Sequence, residues 1–261
     1  MSMRNFWNII ERVIEESDVV IEVLDARMPE LTRNKKAESW IRIQEKPLIF
    51  AVNKADLITS KTVKEYRKVF ERIAPCVFVS TKNRRGITFL KKKIFEIVKK
   101  RSRKDLISIG VIGYPNTGKS SLINALAGRK KAKVGAKPGW TRGIQWISAG
   151  PGIRLIDTPG VIPLTEEDEV KKALICVLDP SKISDPEAVA RKIVEIFLDQ
   201  NKRSLENFYK IKIENKSFNE IIEEIGKVRK MLKKGGKIDE KRVYLTLIND
   251  WQKGRLLLKN V

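Results

Sequence analysis

Histidine is absent from the 261 residues. That removes every mechanism needing an imidazole as base, acid or ligand, and most zinc sites with it. Cysteine is nearly absent: only Cys76 and Cys176 occur, each inside an apolar segment. Two isolated thiols so placed read as buried and free, which suits a reducing, cytoplasmic compartment. No run of about 18 apolar residues occurs, so a spanning helix and a membrane role are not expected. The opening residues, MSMRNFWNIIERV, set charges among apolar positions and offer no small-residue cleavage site. They are expected to form a structural helix, not a signal peptide.

Acidic residues are scarce beside basic ones, and the formal net charge is +22. Residues 1–165 carry +18 of it and residues 166–261 only +4. Eleven basic residues and one acid lie between Lys82 and Lys104; six basic residues and no acid lie between Arg129 and Arg142. A Lys-rich surface of the heat-adapted kind usually balances Lys with Glu. The imbalance here favours a polyanionic partner, nucleic acid before membrane surface.

Periodicity predicts an amphipathic helix over residues 4–16 and buried strands at Val19–Asp25, Leu48–Asn53 and Cys76–Ser80. A helix over Gly86–Lys100, a strand over Leu106–Gly113 and the helix SSLINALAG follow, then strands at Gly143–Ser148 and Ile153–Asp157. This rhythm of strand, polar loop and helix is that of an α/β protein with a mostly parallel sheet. Beyond Thr165 strand patterns stop. Helices are expected around Val170–Leu178, Pro186–Leu198, Asn219–Leu232 and Glu240–Leu258, the last capped by Asp239. The expected domains are therefore residues 1–165 and a small all-α domain, residues 166–261.

GYPNTGKSS, from Gly113, fits the phosphate-loop pattern and sits between a predicted strand and helix, as that pattern requires. Asn116, Thr117, Gly118, Lys119, Ser120 and Ser121 are expected to cradle phosphates at a helix N-terminus. Lys119 would bridge β- and γ-phosphates, and Ser120 would hold magnesium. Asp157-Thr158-Pro159-Gly160 ends a predicted strand. There Asp157 suits an outer-sphere magnesium contact, and the Gly160 N–H can reach a γ-phosphate. Thr141, in KPGWTRG, is the natural second hydroxyl on magnesium; an ordinary loop threonine is the alternative.

VNKADL, residues 52–57, ends another predicted strand. Asp56 can accept from N1–H and N2–H₂ of guanine, an edge that adenine lacks. Asn53 can contact N7 or O6, and the Lys54 stem can lie over the ring. Ser80, Thr81 and Lys82 end the next strand and are similar to a short motif whose backbone N–H reaches guanine O6. Either motif alone can arise by chance. At the carboxyl ends of consecutive strands, where parallel sheets gather ligands, they support one another.

The order is unusual, because the base motifs begin sixty residues before the phosphate loop. This order resembles the circularly permuted GTPases of ribosome assembly, the YlqF/RbgA type. Asp25-Ala26-Arg27-Met28-Pro29, Arg33-Asn34, Pro138-Gly139-Trp140-Thr141 and the tail GGKIDEKRVYLTLINDWQKGRL agree with that family. The resemblance covers most of the chain. It implies a Ras-like six-stranded sheet in the order 5-6-4-1-2-3, a helical RNA-binding domain, and GTP/GDP with Mg²⁺ as ligands. It also suggests a potassium ion held partly by Asn116; an asparagine that merely shapes the turn is the other reading. The implied partners are the large ribosomal subunit or its precursor, and rRNA, with the protein a monomer. Ras-type enzymes place a water-orienting glutamine after Asp-x-x-Gly. Here Val161 stands there, so intrinsic hydrolysis should be slow, and a GTP-stabilised RNA-binding module with negligible turnover is the alternative. Lys119, Thr141, Gly160 and Asn116 are the residues expected to act in hydrolysis. Permutation also makes the segment after Gly160 lead straight into the helical domain, so nucleotide state could reposition that domain.

Overall fold

Long apolar runs bounded by Asp, Asn or Gly become strands covered on both faces, as expected of parallel ladders. In the computed structural model, residues 3–101, 106–128, 145–157 and 168–259 are described. By backbone contacts the chain divides into two compact units, Met1–Asp56 with Ser60–Thr165, and Leu57–Thr59 with Glu166–Val261.

In the first unit α1 (Met3–Glu15) leads into β1 (Val19–Asp25), followed by α2 (Lys35–Ile43), β2 (Leu48–Asn53), α3 (Ser60–Phe70) and β3 (Cys76–Phe78). Then come α4 (Ile87–Arg101), β4 (Ile107–Ile112), α5 (Lys119–Ala127), β5 (Gln145–Ser148) and β6 (Ile153–Asp157). One sheet results, ordered β3-β2-β1-β4-β6-β5, with only the β5–β6 pair antiparallel. The fold class and strand order implied by the sequence are those observed. Every residue of β1 is buried. Val19, Ile21 and Val23 face Leu90 and Ile94 of α4 and Leu122 of α5. Val20 packs on the other face, with Ile10, Val13 and Ile14 of α1 and Ile41 of α2.

Glu22 interrupts that apolar run and is fully buried. Its Oε1 accepts the Asn34 N–H at 2.6 Å, while Oε2 has no hydrogen-bond partner among the described residues. Burial first, and then the neighbouring Glu38 carboxylate, push its pKa up to about 8; the Asn34 N–H and Arg33 oppose the shift. Cys76 and Cys176 are buried free thiols, as their apolar settings suggest.

The helical unit contains α6 (Glu169–Leu174), α7 (Pro186–Gln200), α8 (Lys202–Tyr209), α9 (Phe218–Val228) and α10 (Glu240–Gln252). Asp168, Asp185, Asn201, Ser217 and Asp239 cap them in turn, each side chain accepting an N–H of the first turn. Trp251 and Phe197 are fully buried at its centre, and the Trp251 indole N–H donates to the Leu174 carbonyl at 2.9 Å. Several boundaries differ from expectation. The first helix stops at Leu174, before Cys176 turns left-handed at φ 62. The one expected to reach Leu232 stops at Val228, because Leu232 instead bridges Ile238 across the Gly235-Gly236 turn. The last ends at Gln252, where Gly254 takes φ 63, a conformation that strains any residue with a Cβ. The chain beyond is thereby freed to pair: Leu258 bridges Ile58, and its N–H donates to the Leu57 carbonyl at 2.8 Å. Helix α8 was not expected at all. It starts on the asparagine that ends α7, so no connecting loop separates the two helices. In the first unit β3 is two residues shorter than expected, since Ser80 leaves the ladder to exchange backbone hydrogen bonds with Arg85.

Candidate nucleotide-binding site

The carboxyl ends of β1, β2 and β4 carry Asp25, Asn53 and the loop from Gly113. Asn53 is 1% exposed and ties three loops together. Its Nδ2 donates to the Thr117 carbonyl at 2.9 Å, and its Oδ1 accepts the Thr81 N–H at 3.1 Å. One amide thus connects both expected base-reading segments to the phosphate loop. Leaving either half unbonded inside the protein would cost about 1–3 kcal/mol, so the three loops hold one another in place.

Asp56 is half-buried, and the Ser80 hydroxyl donates to its Oδ1 at 2.6 Å. Ser80 Oγ in turn accepts the Asn83 N–H at 3.1 Å. The carboxylate is therefore held in one orientation by Ser80. Ser80→Ala should weaken GDP binding about five- to tenfold, the worth of one ordinary hydrogen bond; titration with fluorescent GDP checks this. Lys82 is exposed and joins none of these bonds.

Lys54 has a left-handed backbone, φ 62, and its Nζ lies 2.7 Å from Asp25 Oδ2. Asp25 also accepts from Arg27 Nη2 at 2.7 Å, and Arg27 is 1% exposed. Burial acts to raise the Asp25 carboxyl, but Arg27 and Lys54 outweigh it and hold the group below the usual carboxylate range. Asp25 and Arg27 carried family resemblance in the sequence but no role. Partners two and 29 positions apart give no periodic signal.

The phosphate loop turns through Asn116, φ 61, and Gly118, φ 98. A Cβ on Gly118 would lie 2.2 Å from Asn53 Nδ2, so only glycine lets the base motif approach here. Gly118 stands before the first turn of α5 with no side-chain cap, so that turn's N–H groups are left for an anion. Lys119 is buried, and its Nζ donates to the carbonyls of Gly113 at 2.8 Å and Tyr114 at 2.9 Å. The ammonium is folded over the loop that phosphates would enter. Thr117 Oγ1 donates to the Tyr114 carbonyl at 2.9 Å and so stabilises the turn. Ser120 and Ser121 lie in the first turn of α5, and Asp157 ends β6 opposite Val111 of β4. Thr141 and Gly160 lie outside the described residues, as does Val161.

The RsgA GTPase family matches residues 18–165, and the 50S ribosome-binding GTPase family matches residues 108–228. An uncharacterised GTP-binding protein of Methanocaldococcus jannaschii is 37% identical over 248 residues, 95% of this chain and 65% of its own length. Nucleolar GTP-binding protein 2 of Saccharomyces cerevisiae is 33% identical over 258 residues, 97% of this chain and 52% of its own. The chain thus spans between half and two thirds of the length of these relatives. GNP-bound YlqF from T. maritima superposes with a TM-score of 0.65 at 25% identity, over 97% of this chain and 96% of that one. GDP-bound TM YlqF gives 0.66 at 26% identity, over 95% of each chain.

Proposed function

Because the chain belongs to the circularly permuted GTPases of ribosome assembly, the YlqF/RbgA type, we propose that it is a GTP-dependent switch acting on the large ribosomal subunit or its precursor. The observation that carries this reading is the Asn53 amide, which joins base-reading and phosphate-binding loops that stand in inverted order along the chain. Asp56, oriented by Ser80, selects guanine. The amides of Gly118 through Ser121 and the Lys119 ammonium receive the phosphates, with Lys119 exchanging its carbonyl partners for phosphate oxygens. Magnesium supplies neutralisation of the charge that develops on the β- and γ-phosphates. Among the described residues no group of three or more acidic, Cys or His side chains could hold a metal. The Ser120 hydroxyl and the carboxyl end of β6 at Asp157 fit instead an ion shared with phosphates, as magnesium usually is. Thr141 is proposed as the second hydroxyl ligand, the Gly160 N–H as a γ-phosphate donor, and Asn116 as part of a potassium site.

An rRNA partner is supported by the basic surface that follows the base motifs. Lys82, Arg84, Arg85, Lys92 and Lys99 are exposed along the loop and α4, and Phe89, 74% exposed, stands among them. The second basic stretch, Arg129 to Arg142, lies outside the described residues. We further propose that residues 166–261 form the ribosome-binding domain and that the protein works as a monomer in the cytoplasm. No helix among the described residues is long and apolar enough to cross a membrane. A second reading, a GTP-stabilised RNA-binding module with negligible turnover, is favoured by Val161 after Asp-x-x-Gly and by the lack of histidine.

Cosedimentation with purified large subunits separates nucleotide-gated from constitutive binding. Retention is expected with a non-hydrolysable GTP analogue and release with GDP, with affinity falling steeply as salt rises. Equal retention in both states would count against a switch. Turnover of ~10⁻⁴ s⁻¹ alone, rising with subunits and in potassium over sodium, supports the GTPase; a rate unmoved by subunits supports the module.

A further inference from the structure

Arg27 by itself satisfies Asp25. Its Nη2, Nε and backbone N–H all donate to that carboxylate, at 2.7, 3.1 and 3.0 Å. Lys54 Nζ then adds a fourth bond, to Oδ2 at 2.7 Å. The lysine side chain is 24% exposed, and its ammonium, strongly hydrated by nature, turns inward to Asp25. Lys54 stands between the two proposed base-reading side chains, Asn53 and Asp56. The distance is set by the sheet: Asp25 lies beside Asn53 in the β1–β2 register, and the Ala26 N–H donates to the Asn53 carbonyl at 2.8 Å.

From this geometry we infer that Asp25 is a positioning residue for guanine binding, anchoring the Lys54 ammonium so that the aliphatic stem is already extended where the purine ring will lie. The inference rests on reading Asn53–Asp56 as the guanine site. A free lysine stem must be ordered when the base arrives, and that lost rotamer freedom is subtracted from affinity. A stem pinned at its far end has lost the freedom on folding. The anchor also keeps the charged end off the ring, so that methylenes alone meet the base.

Lys54→Met separates anchoring from stacking, because methionine keeps an apolar stem and leaves the Asp25–Arg27 pair intact. GDP affinity is read with a fluorescent nucleotide, and inorganic pyrophosphate, which has no base, is read by competition. The expected result is about tenfold weaker GDP binding, the scale of one immobilised long side chain, with pyrophosphate unchanged. Asp25→Asn should show the same loss in the parent protein and none on the Lys54→Met background. Wild-type GDP affinity in Lys54→Met overturns the inference. So does equal weakening of GDP and pyrophosphate, which marks general loosening, and so does additivity of the two substitutions. Should Asp25→Asn fail to fold around its buried arginine, the Lys54→Met comparison decides alone. Asp56→Asn tells the two failures apart. If it leaves guanine over xanthine preference unchanged, the base-reading assignment falls and this inference with it. If it changes the preference while Lys54→Met binds as wild type, only the role of Asp25 falls.

Discussion

Asp56→Asn is expected to exchange guanine for xanthine preference. In the proposed site the carboxylate would present two acceptors to N1–H and N2–H₂ of guanine; xanthine carries a carbonyl oxygen where guanine has the amino group. An amide in place of the carboxylate can donate to that oxygen. The structure determines which end of the amide faces the base. Ser80 donates its hydroxyl proton at 2.6 Å to Oδ1 and needs an acceptor there. The asparagine oxygen therefore stays on Ser80, and its NH₂ is left for the nucleotide. An unmatched polar group in such a site typically costs two to four orders of magnitude, so the GTP to XTP affinity ratio should fall by about 10²- to 10⁴-fold. Competition titrations with both nucleotides measure it. Unchanged GTP affinity would remove Asp56 from the base site.

Glu22→Gln should stabilise the protein in mildly alkaline solution and leave it nearly unchanged in acid. The pKa of Glu22 is raised in the folded chain, from an ordinary 4.5 to about 8. Between those values the unfolded chain has lost the proton and the native state has kept it. The native state binds more protons, so stability must fall as pH rises through that window. The loss is on the order of a few kcal/mol by the time Glu22 ionises among Glu38, Arg33 and the Asn34 N–H. Glutamine never ionises. Its carbonyl can accept the Asn34 N–H as Oε1 does now, and its NH₂ can donate towards Glu38. Melting followed at pH 5, 7 and 9 should show a gain of roughly 5–10 °C at pH 9 and little at pH 5. A difference independent of pH would show that Glu22 is already ionised at pH 5.

How much of this was legible in the chain depended on whether the information was local. The bounds of β1, β2 and β6 follow directly from apolar runs ended by Asp25, Asn53 and Asp157. The Asp239 cap of α10 was readable because a capping side chain bonds its own helix. Helix α8 was hidden, since Asn201 both closes one helix and opens the next. Leu57–Thr59 fall inside the domain expected over residues 1–165, yet they group with the helical unit, where Leu258 bridges Ile58. Nothing within ten residues of either segment announces that pairing.

By itself, then, the sequence determined the α/β class, the inverted motif order and the family, because periodicity and motif spacing are properties of neighbouring residues. Only the tertiary structure decided who partners whom. Asn53 with Thr117 and Thr81, Lys54 with Asp25, and Glu22 with Asn34 are joined by sheet register and loop closure. Those bonds join side chains to backbone groups or to one another, and folding brings the partners within 3.1 Å from as far as 64 residues apart; chain order carries no record of such distances.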